Sequence, residues 1–159
     1  HSPYTLSLHD ALPIFDHLAI RVSDLERSRA FYDQVLGFLG FTIEWEFDRV
    51  IGWTNGETLF WITEADAQGR KHKHRTGDVG YHHYAFELGA REDVDALYAF
   101  LLDQAVTIVD APADYPDYGE GYYAVYFLDP DDLKLEVMFF LEKQKRRLLG
   151  KSRRSDHRK

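Results

Sequence analysis

The sequence predicts an α+β domain built from two copies of a βαβββ module. Three observations carry this: a repeated strand motif, a helical apolar stripe after each copy, and three further strand-like segments after each stripe. Residues 17–22 read HLAIRV and residues 83–88 read HYAFEL. Each runs histidine, apolar, alanine, apolar, charged, apolar, the period-two alternation of a half-buried strand. In the first copy His17, Ala19 and Arg21 share a face opposite Leu18, Ile20 and Val22. In the second, His83, Ala85 and Glu87 stand opposite Tyr84, Phe86 and Leu88. The apolar faces are expected against helices, and the histidine faces toward a wetter space.

The elements follow in order. In SDLERSRAFYDQVLGF, Ser23 and Glu26 have capping-box spacing, and Leu25, Phe31, Tyr32, Val35 and Leu36 form a helical stripe that Gly37 or Gly40 can end. Strands are expected over 41–47, 49–53 and 57–63, with Asn55-Gly56 as a tight hairpin turn between the last two. Residues 65–80, ADAQGRKHKHRTGDVG, are polar and read as a linker. REDVDALYAFLLDQAV then places Val94, Leu97, Tyr98, Leu101 and Leu102 on one helix face. Strands are expected over 106–111, 121–128 and 133–140, with Asp129-Pro130-Asp131-Asp132 as the turn between the last two. Residues 15–142 therefore read as one domain of two modules, 15–64 and 81–140.

Both ends are set apart. Thr5 to Ile14, TLSLHDALPI, corresponds to the translation of a sequencing-adapter DNA, so residues 1–14 are expected to be a non-native leader. Residues 143–159 hold nine Lys or Arg and one Asp and are expected to be a solvated, disordered basic tail. The other 142 residues carry 10 basic and 26 acidic side chains, a formal charge of −16 inside the overall −8. Such an acidic body repels phosphate, which argues against nucleic acid as a partner. No apolar run approaches a membrane span, so no membrane partner is expected. There is no cysteine, which excludes disulfides and thiolate ligands and fits a cytoplasmic protein.

The last strand candidate carries the chemistry. In LKLEVMFF, Leu135, Val137 and Phe139 share one face, and Lys134, Glu136 and Met138 the other. A carboxylate in the middle of so apolar a strand is costly to bury alone. It is either paired with a cation, Arg21 being one candidate, or it coordinates a metal. His17 and His83, at repeat-related positions, would complete a two-histidine, one-carboxylate set suited to Zn, Mn, Fe(II), Co or Ni.

The double βαβββ pattern, the opening HLAIRVSDLERS, the Phe31-Tyr32 and Leu36-Gly37-Phe38 of the first helix, and the DPDDLKLEV of residues 129–137 resemble the vicinal oxygen chelate superfamily. This is the glyoxalase, bleomycin-resistance and extradiol dioxygenase group. The resemblance spans residues 15–140. It implies paired modules forming a curled mixed sheet around a metal-binding cup, with a divalent metal held by His17, His83 and Glu136. It also implies a small-molecule substrate that chelates the metal through vicinal oxygens, or, as the alternative, a bleomycin-resistance-like protein that sequesters a ligand without catalysis. Relatives often dimerise, so a homodimer is expected. Glyoxalase I carries a fourth ligand, an acid, on the fourth strand. The matching position here is Trp61, which can neither ligate nor accept a proton, so true glyoxalase I activity is not expected.

Substrate contacts are expected from Trp61, Tyr118, Tyr123 and Lys134. The two tyrosines belong to a glycine-bordered cluster with Tyr115, Tyr122 and Tyr126, and Lys134 lies beside Glu136. His82 is expected to point away from His83 as a structural or surface histidine. His72 and His74, among Lys71, Lys73 and Arg75, are expected in a solvated loop. Arg21 and Glu87, at equivalent repeat positions, are a candidate ion pair.

Overall fold

The computed structural model describes residues 15–146. The expected leader lies outside these residues, as does the tail beyond Arg146. The chain divides between Lys71 and His72 into two compact units. The division falls inside the expected linker.

The first unit runs β1 (His17–Val22), α1 (Leu25–Phe38), β2 (Thr42–Phe47), β3 (Val50–Thr54) and β4 (Leu59–Glu64). Its sheet has the order β1-β4-β3-β2, with β1 parallel to β4 and the remaining pairs antiparallel. One sheet face meets α1: Trp53, Phe60 and Ile62 are buried with Tyr32, Val35 and Leu36 of the helix. The Tyr32 and Phe60 rings lie 4.9 Å apart, and the Trp53 indole N–H donates to Asp33 at 2.8 Å. A buried indole needs such a partner.

The helix start differs from expectation by one residue. Asp24 is the N-cap and accepts from the Arg27 amide at 3.0 Å, while Ser23 accepts from the Arg27 guanidinium. At the other end Gly40 sits at φ +84°, with Gly40 N–H donating to Gly37 O and Phe41 N–H to Leu36 O. This paired closure demands the left-handed conformation that glycine adopts freely. The β3–β4 loop is longer than a two-residue turn. Thr54 pairs with Leu59, and the Asn55 side chain accepts from the amides of Glu57 and Thr58.

The second unit repeats the plan: β5 (Tyr84–Glu87), α2 (Arg91–Asp103), β6 (Ile108–Asp114), β7 (Tyr122–Leu128) and β8 (Lys134–Phe140), in the order β5-β8-β7-β6. Again the first strand is parallel to the last and the others are antiparallel. Val94, Leu97 and Leu101 of α2 are buried, as are Val125, Phe127, Leu135 and Val137 of the sheet. Leu102 lies outside this stripe at 52% exposure. Asp129 shapes the β7–β8 turn by accepting from the amides of Asp131 and Leu133.

The architecture is thus α+β, with two separate four-stranded mixed sheets that do not close into a barrel. Residues 141–146 are helical, Lys143 pairs with Glu87 at 2.7 Å, and Gln144 donates to the Leu88 and Gly89 carbonyls. Within the first unit Arg21 donates to the Glu64 carbonyl.

Candidate functional site

Glu136 sits in the centre of β8 on the face away from α2, at 2% exposure. Burying a carboxylate this deeply is costly unless it is matched. Here it is matched by two side chains. His83 Nε2 lies 2.9 Å from Oε2, and the Tyr122 hydroxyl donates to Oε1 at 2.6 Å. Strand register explains the phenols. Tyr126 is directly opposite Glu136, Ala124 faces Met138, and Tyr122 faces Phe140, so all six side chains share one sheet face. Burial first, and then Glu136, push the Tyr122 hydroxyl well above the usual phenol range. Tyr126 is raised for the same two reasons. Both phenols stay protonated, and Tyr122 acts as the donor.

His83 immediately precedes β5, with its ring edge-on to Tyr126 at 5.8 Å. His82 does not turn away as expected. Its Nδ1 lies 2.5 Å from His83 Nδ1, and the two rings are 4.8 Å apart. Side-chain alternation holds within a strand, and β5 starts only at Tyr84, so that rule does not reach His82. The Lys134 cation, with smaller contributions from burial and His83, holds His82 below the ordinary histidine value. Lys134 shares the Glu136 face of β8, with Nζ 5.5 Å from the centre of the Tyr126 ring.

Within the second unit, Tyr118 and Tyr123 take different surroundings. Tyr118 is exposed, stacked on Tyr115 and edge-on to Tyr122 at 5.3 Å. Tyr123 is on the opposite face of β7. It is buried, its hydroxyl donates to Asp95 of α2 at 2.6 Å, and the Arg91 guanidinium lies 3.7 Å above its ring. It ties sheet to helix, and the tyrosine of this strand that meets Glu136 is Tyr122. The signal was present in YYAVYFL. Tyr123 alternates in phase with the core residues Val125 and Phe127, and Tyr122 with Tyr126.

His17 and Trp61 belong to the first unit, on the β-sheet face away from α1. The His17 side chain is 55% exposed, and its Nδ1 lies 2.9 Å from Asp16. Trp61 packs against Trp45 with ring centres 5.0 Å apart and lies over Gly52, where an added Cβ would come within 2.5 Å of the indole. Gly52 is thus required by close approach.

An imidazole nitrogen and a carboxylate oxygen converging on a water-shielded face form the donor chemistry that borderline divalent cations take. His83 and Glu136 therefore fit two positions of the expected metal set. Among the described residues, no group of three or more His, Asp or Glu is gathered as a ready-made metal set. No helix among them is long and apolar enough to cross a membrane.

Known proteins place this geometry in context. The chain is 28% identical over 122 residues to the uncharacterised protein YqjT of Bacillus subtilis (strain 168), covering 77% of this chain and 95% of that protein. It is 32% identical over 126 residues to the glutathione transferase FosA of Serratia marcescens, covering 79% and 80%. Among solved structures, a glyoxalase/bleomycin resistance protein from Albidiferax ferrireducens T118 superposes with a TM-score of 0.67 at 26% identity, covering 80% of this chain and 100% of that one. The sequence model of one family matches residues 14–137, and by that match the chain belongs to the Glyoxalase/Bleomycin resistance protein/Dioxygenase superfamily.

Proposed function

We propose that this chain is a divalent-metal-dependent enzyme of the glyoxalase/dioxygenase type, acting on a small molecule that chelates the metal through adjacent oxygens. The proposed ligands are His17, His83 and Glu136. The observation that carries the reading is the buried Glu136 carboxylate held 2.9 Å from His83 Nε2. The likeness to a glutathione transferase supports a small-molecule substrate.

A bound divalent cation would stabilise negative charge developing on the substrate oxygens. The protein's own groups do the rest. His83 would ligate through Nε2, the nitrogen that faces Glu136, with its Nδ1 directed at His82. Tyr122 holds the carboxylate in place, and Lys134 offers a cation to an anionic substrate group. Trp61 and Tyr118 are proposed as walls for the substrate's apolar part. Trp61 occupies the place of a fourth acidic ligand, which argues against glyoxalase I chemistry and for three protein ligands with positions left for substrate.

A second reading is a ligand-sequestering protein without metal chemistry. It is favoured by one observation: a phenol and an imidazole already satisfy Glu136. Elemental analysis of purified wild type and His83→Ala separates the two. Near-stoichiometric divalent metal in wild type and most of it lost in the variant is the expected result. Equal metal in both removes His83 from the site, and none in either favours sequestration. We also propose a cytoplasmic homodimer. Light scattering should give twice the 18.6 kDa chain mass.

A further inference from the structure

We propose that Tyr122 is a positioning residue, fixing one oxygen of Glu136 so that the other is presented to the site. This rests on the metal reading above. The two carboxylate oxygens have different partners: Oε1 takes the Tyr122 hydroxyl at 2.6 Å, and Oε2 faces His83 Nε2 at 2.9 Å. A hydroxyl donating to an ionised carboxylate at this distance is a strong, charge-assisted bond. It removes the freedom of the carboxylate to rotate about its last bond.

The phenol reaches Glu136 along the sheet, past one residue pair. Tyr122 pairs with Phe140, and on this face of the sheet Glu136 lies two pairs away, beyond Ala124 and Met138. The residue between, Ala124, is fully buried, and its methyl leaves room for the Tyr122 ring to lean toward Tyr126. The ring is clamped by Phe140 at 5.3 Å and by Tyr118 at 5.3 Å. Phe140 in turn needs Gly119: a Cβ there would stand 2.7 Å from the Phe140 ring, and the backbone sits at φ +134°. Gly119, Phe140 and Ala124 thus shape a slot that aims one hydroxyl at one oxygen. Groups that orient a ligating carboxylate in this way typically contribute about 10- to 100-fold in metal affinity.

The test uses the full chain and two probe ions. Mn2+ affinity is measured by the loss of its free-ion electron spin resonance signal, and Co2+ by its visible absorption bands. Tyr122→Phe removes the hydroxyl and keeps the ring. It should weaken Mn2+ binding about 10- to 100-fold and shift the Co2+ bands. Phe140→Leu keeps the hydroxyl and loosens the clamp, and should give a smaller loss in the same direction. A change confined to thermal stability would move neither the affinity nor the bands. Wild-type binding that Tyr122→Phe leaves within twofold, with unshifted bands, overturns the role alone. A wild type that binds neither ion overturns the metal reading and this role together.

Discussion

The two units solve the same position on one plan in opposite ways. In the first, Ala19 of β1 pairs with Trp61 of β4, which pairs with Gly52 of β3. In the second, Ala85 of β5 pairs with Glu136 of β8, which pairs with Tyr126 of β7. Trp61 is therefore the repeat partner of Glu136, and Gly52 that of Tyr126. A large indole lies over a residue with no side chain in one unit. A carboxylate stands opposite a large phenol in the other. The helix-facing sides, by contrast, are both largely apolar, each with one ring tied to an aspartate of its helix. The fold constrains the face against the helix and leaves the other free to diverge, which is where chemistry can be built.

That contrast can be broken by substitution, beginning with the core face. Phe60→Ala should cost about 3–5 kcal/mol in denaturant unfolding, because Phe60 is buried against Tyr32 and Trp53. Trp61→Ala, one residue along, should cost clearly less, and an equal loss would mean that the two faces are not distinct. Gly52→Ala should cost about 1–3 kcal/mol, since the new methyl displaces the indole. In Gly52→Ala/Trp61→Ala the penalty should largely vanish, and additivity of the two losses would reject the close-approach argument.

The helix ends give the smallest effects and sharpen the comparison. Asp24 caps α1 with its side chain, whereas Ala90 at the start of α2 makes no side-chain cap bond. Asp24→Ala should cost about 1 kcal/mol, and Ala90→Ser should gain a few tenths to 1 kcal/mol. Ala105 closes α2 at φ +54° with the same paired hydrogen bonds that Gly40 makes in the first unit. Ala105→Gly should raise stability by up to about 1 kcal/mol, and a lower melting temperature would refute the strain.

Both modules were legible because periods of two and 3.6 residues survive in single segments such as HLAIRV and VDALYAFLL. The centre of the site was legible for a similar reason: a lone Glu in LKLEVMFF stands out against its neighbours. What escaped depended on information outside a segment. Tyr122 bonds to Glu136 only once β7 and β8 are in register, although its parity against Val125 could have excluded Tyr123. His82 escaped because alternation was applied to residues that precede the strand. The α1 cap was ambiguous because Ser23 and Asp24 are adjacent and both residue types cap well.

Every ladder rung closes on its own side of the Lys71–His72 boundary. A covalent break at that peptide bond would thus leave all of the paired strands with their partners. Insertions or a new pair of termini should be tolerated there, where the same number of residues placed between β7 and β8 would prise apart Glu136 and Tyr122.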